Sequence, residues 1–394
     1  MKLSIERANG TVSAPPSKSA LHRRLILNAI AGCFDATEHA CLDAAVTANA
    51  LSALQNGMPV DCGESGSTLR FLLPVSTLFG GGTFTGSPAL AKRPIRPLLD
   101  ALRTHGAAIS SDALPLSVSG SLSPGIYELE GGISSQFFSG LLMTLPFLSG
   151  DSTLLWSSPL SSRGYVDLTE RMLKEHGVAV SRIENGFLIP GGQTPFALPV
   201  SVEGDWSCAA PMLILGAMLG SVTVTGLDPS SDQPDRAVLD ALLQCGAHVS
   251  VNGNAVTSSK GKLSGCKFNG DLAPDLVPAL AALGCASVGD TVLYRLNRLR
   301  FKESDRFEAI LALLRSLGAD CDTERNDTVV IHGHGVLRGG TADVPNDHRM
   351  VMAAALMSAV STKPVILSDP GCVRKSYPDF FADFTALGGQ TDAI

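Results

Sequence analysis

Two hydrophobic patterns alternate along the chain. In the first, apolar residues recur at helical spacing on one face, a glycine follows the last of them, and a short strand-like tail comes next. It occurs at residues 50–60, 100–109, 168–180, 239–249, 308–320 and 380–391, with the stops at Gly57, Gly106, Gly177, Gly246, Gly318 and Gly388. A glycine just past the last apolar position ends a helix, so each stretch predicts an amphipathic helix and then a strand. In the second pattern the helical stretch is apolar all round and is opened by polar residues. Its copies begin near Pro16-Ser17-Lys18-Ser19, Glu64-Ser65-Gly66-Ser67, Ser134-Ser135-Gln136, Gly204-Asp205-Trp206-Ser207, Leu272-Ala273-Pro274-Asp275 and Asn346-Asp347-His348-Arg349. Most of these run into a glycine and a β-rich stretch such as Gly82-Thr83-Phe84-Thr85 or Gly220-Ser221-Val222-Thr223-Val224.

A helix apolar on every side must be buried on every side. Three such helices inside a shell of sheets make one domain, so six copies predict an α/β protein of two domains with three repeated units each. The later copies recur at about 70 residues, too long for an ordinary solenoid repeat. An N-terminal lobe over 15–203 and a C-terminal lobe formed by 1–14 plus 204–394 are expected. The chain would cross near Ala14-Pro15-Pro16 and again near Val202-Glu203-Gly204, with residues 1–14 as the first strand of the C-terminal lobe.

Any α/β chain alternates helices and strands, but that does not explain why polar residues open the buried helix each time. A helix N-terminus presents unpaired N–H groups and the positive end of the macrodipole, a seat for phosphate or carboxylate. Lys18, Arg23, Arg70 and Arg349 lie in or near these first turns, and Lys92-Arg93, Arg163, Lys302, Arg306 and Arg374-Lys375 follow strands. The expectation is a cleft between the two lobes that traps a ligand or ligands with several negative charges.

Composition sharpens this. The 394 residues are 45% hydrophobic and only 17% charged, with a net charge of −7. There is no long basic run, which argues against nucleic acid and anionic membrane as partners. Cations clustered on an acidic protein point instead to a specific anion. The cysteines, Cys33, Cys41, Cys62, Cys208, Cys245, Cys266, Cys285, Cys321 and Cys372, form no CxxC and no zinc spacing. They read as reduced core thiols of a reducing compartment. The first residues lack an apolar signal core, and the longest apolar runs fall short of a membrane span. A cytoplasmic monomer acting on small molecules is expected.

The densest chemistry is Lys302-Glu303-Ser304-Asp305-Arg306, following Arg298-Leu299-Arg300-Phe301. On a helical turn Lys302, Glu303 and Arg306 would project together and set anion-binding groups beside a carboxylate that can move protons. A solvated helix face with i,i+4 pairs is the plainer reading. Lys18 and Ser19 open a buried helix, where a lysine can hold phosphate and donate a proton. Gly63-Glu64-Ser65-Gly66-Ser67-Thr68-Leu69-Arg70 is a loop of small residues whose N–H groups can reach an anion, but it lacks the spacing of a nucleotide P-loop. Ser134, Ser135 and Gln136 suit a polyol phosphate, or simply cap a helix. Asp275 is an N-cap or, with Glu303, one of two carboxylates for acid and base work. His348 beside Asp347 reads as structural, because no partnered nucleophile motif accompanies it.

Five pieces in order, Lys18-Ser19 with Arg23, Ser134-Ser135-Gln136-Phe137, Lys302-Glu303-Ser304-Asp305-Arg306, Asn346-Asp347-His348-Arg349-Met350 and Lys375-Ser376-Tyr377-Pro378-Asp379, make the chain resemble the 5-enolpyruvylshikimate-3-phosphate synthase family of enolpyruvyl transferases. The resemblance runs from Pro16 to Asp379. It implies the inside-out α/β barrel pair, in agreement with the sixfold count. It also implies transfer of the enolpyruvyl group of phosphoenolpyruvate to the 5-hydroxyl of shikimate 3-phosphate, with loss of phosphate, on the route to chorismate and the aromatic amino acids. The chemistry is addition and then elimination through a tetrahedral ketal, with no metal or organic cofactor, and such enzymes are the target of glyphosate.

By this resemblance Lys18, Ser19, Arg23, Ser134, Ser135, Ser162, Asp275, Arg298 and Lys302 would hold shikimate 3-phosphate, with Tyr165 lining that side. Lys18, Gly66, Arg93, Gln136, Arg306, Arg349 and Lys375 would hold phosphoenolpyruvate, with Arg70 in support. Asp275 would be the base toward the 5-hydroxyl, Glu303 would protonate the methylene carbon and recover the proton, and Lys18 would assist the departing phosphate. Three positions depart from the pattern: Arg298 stands where Asn is common, Ser67 where Thr is common, and Ala44-Ala45 where an acidic pair is expected. The rival transferase acting on UDP-N-acetylglucosamine should carry a cysteine near Lys92-Arg93-Pro94-Ile95, and no cysteine occurs between Cys62 and Cys208. An RNA 3′-phosphate cyclase-like protein is disfavoured by the acidic charge and the missing nucleotide motif. A non-catalytic anion-binding relative is disfavoured by the presence of Lys18, Asp275 and Glu303 together.

Overall fold

The computed structural model describes residues 1–34 and 41–393. It divides into two compact units, one of Met1–Ser17 with Glu203–Ile394 and one of Lys18–Val202. Each unit is built with helices inside and sheets outside.

In the unit that contains the chain's N-terminus, three helices form the centre: Trp206–Leu219, Val277–Ala286 and His348–Met357. Every residue of the first from Trp206 to Met218 is buried, as is every residue of the third. Each fully buried Leu or Met contributes about 1.5–3 kcal/mol, and helices with no polar face have no other stable place. Three four-stranded sheets surround them. Lys267–Asn269 pairs in parallel with Val288–Tyr294, which pairs antiparallel with Thr328–His334, which pairs antiparallel with Cys321–Glu324. The sheet of Asn9–Ser13, Ser221–Thr225, Ala255–Ser259 and His248–Asn252 repeats this order, as does that of Gly340–Thr341, Val365–Ile366, Lys2–Ser4 and Gln390–Asp392. Residues 1–14 were expected to supply one strand. They supply two, Lys2–Ser4 and Asn9–Ser13, each completing a different sheet.

The second unit is centred on Lys18–Ile30, Gly66–Val75 and Ser135–Leu142. Its two sheets, among the described residues, follow the same order: Val60–Asp61, Gly82–Thr85, Leu116–Ser119, Ala108–Ile109, and Ile126–Leu129, Ser152–Trp156, Gly186–Ile189, Ser181–Ile183. No strand follows Lys18–Ile30 within the described residues. Irregular chain lies along that helix, where the Asn28 side chain bonds Leu198 in both directions and Arg24 donates to the Pro199 carbonyl. These bonds satisfy backbone groups that a strand would otherwise pair.

All six glycine stops have positive φ. Gly318 is the clearest case, with a φ of 81 at the C-cap of Arg306–Leu317, a conformation that costs a side chain but not glycine. No disulfide forms among the described residues, and Cys41, Cys62, Cys208, Cys245 and Cys285 are buried. No helix of the described residues is long and apolar enough to cross a membrane.

Candidate active site

In the first unit the predicted residues gather around one guanidinium. Residues 302–305 are not helical: a 3-10 turn, Asn297–Phe301, ends before them, and Asp305 caps the next helix by accepting from the Glu308 N–H. Arg306 is therefore the first helical residue, and its fully buried side chain turns back over the bend. Its Nε and Nη2 donate to both oxygens of Asp347 at 2.7 and 3.2 Å. Its Nη1 donates to Asp275 Oδ1 at 2.8 Å, and its Nη2 to Glu303 Oε2 at 2.7 Å.

Lys302 Nζ donates to the same Asp275 oxygen at 3.0 Å, and Arg349 Nη2 lies 3.7 Å from the other. Arg349 is held by Ser207, whose carbonyl and hydroxyl both accept from it, and Ser207 in turn donates to Asp205, the N-cap of Trp206–Leu219. Asp275 is not a helix cap. It sits in the turn before Val277–Ala286, whose N-cap is Leu276. Asp347 both caps His348–Met357, through the Arg349 N–H, and receives Arg306 and the Ser304 hydroxyl.

Three cations thus face three carboxylates. Burial raises the Asp275 pKa, but Lys302, Arg306 and Arg349 outweigh it and hold the group well below the usual carboxylate range, with Glu303 opposing them. Burial lowers the Lys302 pKa, partly countered by Asp275. For Arg306, burial opposes the charge but Asp347, Glu303 and Asp275 raise its pKa well above the ordinary value. Two other predicted residues belong to this unit, and Arg298 adds its charge to those acting on Lys302. Arg298 pairs with Asp271 at 3.5 Å, and Lys375 ends the 3-10 turn Gly371–Lys375.

The second unit holds the remaining predicted residues. Lys18 opens the Lys18–Ile30 helix and pairs with Asp43 at 3.1 Å. The sequence departs from an acidic pair at Ala44-Ala45, yet the carboxylate one residue earlier reaches the lysine. Arg23 is buried, and its guanidinium donates to Thr169 Oγ1 (2.7 Å), the Ser19 carbonyl (2.6 Å), Ser139 Oγ (3.1 Å) and the Tyr165 carbonyl (2.8 Å). It lies over the Phe71 ring, and burial pushes its pKa down to about 9. Arg23 therefore ties three helices together through groups of the protein itself.

Gly66 is the first residue of Gly66–Val75, capped by Ser65. The Arg93 guanidinium lies against it so closely that a Cβ on Gly66 would fall 2.5 Å from Nη1. Arg70 donates to Gln136 Oε1 at 2.7 Å, and Gln136 donates to Ser67 Oγ at 2.8 Å, so Arg70, Gln136 and Ser67 form one hydrogen-bonded line. Ser134 caps Ser135–Leu142 through the Gln136 N–H. The turn before it is tied to the loop before Ser162 by Gly131 N–H to Ser158 Oγ (3.0 Å) and Ser161 N–H to the Gly131 carbonyl (3.1 Å). Ser162 itself is buried with a φ of 50, a left-handed conformation that non-glycine residues adopt mostly at special sites.

Asp43, Asp347 and Ser207 were not singled out from the sequence as functional. Asp347 had a visible signal, an acidic residue at the opening of a buried helix. Ser207 had the same signal, at the opening of Trp206–Leu219, whereas Asp43 had none, because its partner Lys18 lies 25 residues away in the chain.

The family model for EPSP synthase (3-phosphoshikimate 1-carboxyvinyltransferase) matches residues 34–384. A 3-phosphoshikimate 1-carboxyvinyltransferase from Clostridium kluyveri is 37% identical, covering 98% of this chain and 96% of that protein. One from Methanocorpusculum labreanum is 36% identical, with 99% of each covered. Among solved structures, EPSP synthase from Acinetobacter baumannii superposes with a TM-score of 0.78 at 24% identity, over 99% of this chain and 100% of that one. The enolpyruvyl transferase NikO from Streptomyces tendae gives 0.72 at 18% identity, over 100% of this chain and 99% of that one. These two share the inside-out fold. With the family model spanning most of its length and relatives above 35% identity matching nearly end to end, the chain belongs to the EPSP synthase (3-phosphoshikimate 1-carboxyvinyltransferase) family.

Proposed function

We propose that this protein transfers the enolpyruvyl group of phosphoenolpyruvate to the 5-hydroxyl of shikimate 3-phosphate, releasing inorganic phosphate, in aromatic amino acid biosynthesis. The observation that carries this is the family match over residues 34–384. The two residue sets serve one reaction. Asp275 takes the proton of the 5-hydroxyl as its oxygen attacks C2 of phosphoenolpyruvate. Glu303, entering the reaction in its acid form, delivers a proton to C3, which becomes a methyl group on a tetrahedral ketal phosphate. Glu303 then recovers a methyl proton as the C–O bond to phosphate breaks, Lys18 gives the departing phosphate a proton so that it leaves as the dianion, and the proton held by Asp275 passes to solvent, from which Lys18 is recharged.

The charge balance supports this division. Asp275 is a poor base while Lys302 and Arg306 both bond its Oδ1. A substrate anion that draws on Lys302 or Arg306 relieves that pull and raises the proton affinity of Asp275, so base strength appears when substrate is bound. Glu303 shares Arg306 with Asp275 and Asp347, which orients its carboxyl. On the other set, Gly66, Arg93 and Gln136 receive phosphoenolpyruvate, and Lys18, Ser19, Ser134, Ser135 and Ser162 receive shikimate 3-phosphate, with Arg298, Arg349 and Lys375 as further cations. Arg23 acts by holding Ser19 and the surrounding helices. The protein works as a monomer in the cytoplasm.

A phosphate-release assay tests this. Phosphate should appear only when phosphoenolpyruvate and shikimate 3-phosphate are both present, and no release overturns the reading. Asp275→Ala and Glu303→Ala should each lose about 10²–10⁴ in turnover with unchanged circular dichroism, and full activity in either overturns its role.

A further inference from the structure

One buried histidine has no part in that scheme. His22 is 1% exposed on the Lys18–Ile30 helix. Its Nδ1 lies 2.6 Å from Thr47 Oγ1, which lies 2.6 Å from Thr68 Oγ1, and Thr68 Oγ1 donates to Ser65 Oγ at 2.8 Å. All four side chains are buried. The chain joins Lys18–Ile30, Leu42–Gln55 and the cap of Gly66–Val75.

The last link sets the polarity of the rest. A hydroxyl has one hydrogen. Thr68 gives its hydrogen to Ser65, so its oxygen accepts from Thr47. Thr47 gives its hydrogen to Thr68 at 2.6 Å rather than to the Asp43 carbonyl at 3.4 Å, and so accepts from His22. The imidazole is thus the neutral Nδ1–H tautomer, and its Nε2 has no hydrogen-bond partner among the described residues. Ser65 Oγ accepts twice, from Thr68 Oγ1 and from the Thr68 N–H at 3.3 Å. Its own hydrogen is the open end of the chain, on the residue that precedes Gly66, and the Arg93 guanidinium lies against Gly66.

We infer that His22 is a positioning residue: through Thr47 and Thr68 it fixes the Ser65 hydroxyl and the first turn at Gly66 for an anionic substrate oxygen. This rests on the proposed assignment of Gly66 and Arg93 to phosphoenolpyruvate. Replacing the Nδ1–H donor lets Thr47 and Thr68 reorient, and Ser65 loses the bond that holds its rotamer. The charged groups nearest to His22 in effect are Asp43, Lys18 and Arg23, and burial outweighs all of them in keeping the ring neutral.

Two measurements test this. The first needs no turnover. In imidazole-¹⁵N-labelled protein, His22 should show a protonated Nδ1 and a bare Nε2, unchanged from pH 8 to pH 5. The opposite tautomer, or titration in that range, overturns the inference. The second is kinetic. Thr47→Val should raise the KM for phosphoenolpyruvate about tenfold with kcat within about threefold and the KM for shikimate 3-phosphate unchanged. Thr47→Ser and His22→Asn, which keep a hydroxyl and a side-chain N–H donor, should restore it. A folded Thr47→Val with ordinary KM overturns the inference, and if that variant does not fold, Thr68→Val is read the same way. If the wild type releases no phosphate, the proposed function falls, and the tautomer measurement still decides the chain's polarity.

Discussion

Arg306 Nη1 lies 2.8 Å from Asp275 Oδ1, so the residue proposed as base is bonded by a guanidinium that is itself sealed from solvent. The same guanidinium neutralises Asp347, which is fully buried, and Glu303. Removing it leaves buried carboxylates without their counter-charge. Arg306→Leu is expected to destabilise the protein by about 3–5 kcal/mol, the usual cost of breaking a buried ion pair from one side. Urea unfolding measures this. Adding Asp347→Asn to Arg306→Leu should recover part of the loss, because one orphaned charge disappears. A midpoint unchanged in Arg306→Leu would contradict the burial argument.

His22 makes stability depend on pH in a defined direction. Burial lowers its pKa to about 3 in the folded protein, against an ordinary 6.5. Below the ordinary value the unfolded chain binds a proton that the folded protein refuses, so stability falls as pH drops from 6.5 toward 3. The expected loss from this group between pH 7 and pH 5 is about 2 kcal/mol. Asp275 acts in a different window. Its folded pKa is depressed, so its contribution is present above the usual carboxylate range and is lost progressively as the pH falls from that range through the folded value. Urea unfolding at pH 7 and pH 5 on wild type and His22→Asn isolates the histidine. If the two proteins show the same pH dependence, the ring is not held neutral.

Gly66→Ala places a methyl group 2.5 Å from Arg93 Nη1 and 2.8 Å from its Cζ. The colliding group is the end of a long side chain, so the fold should survive with a stability change below about 1.5 kcal/mol while the guanidinium moves. Steady-state kinetics should show the KM for phosphoenolpyruvate raised about tenfold or more, a displaced charge-assisted contact being worth about 1.5–3 kcal/mol. The KM for shikimate 3-phosphate should change little. Equal effects on both substrates would place Arg93 elsewhere in the reaction.

Asp43→Asn keeps the shape of the side chain but removes the charge beside Lys18. An ammonium held at a part-buried site by a carboxylate loses its anchor, and the proposed phosphate-assisting group becomes less ordered. Turnover should fall about tenfold, by analogy with the supporting shells of other charged sites. Asp43→Glu should be milder. Activity indifferent to the charge at residue 43 would mean that Lys18 is positioned by its helix alone.

The alternation of amphipathic and fully apolar helices, the glycine stops and the inside-out arrangement were legible in the sequence. Each is local: periodicity states which faces are buried, and a residue that needs a positive φ announces a turn. The cluster at 302–306 was legible as chemistry but not as structure, because a helical turn was expected where a bend stands, and the helix begins only at Arg306, after its cap Asp305.

What the sequence by itself determined is thus the repeat, the buried helices with polar tips, and the family. What only the tertiary structure decided is pairing: Lys18 with Asp43, 25 residues away, Arg306 with Asp347, 41 residues away, and His22 at the head of a hydroxyl chain. Periodicity gives each residue a face but not a neighbour. Partners across helices depend on how the elements pack, and in a buried site that packing sets which charges are compensated and therefore which groups can bind anions or move protons.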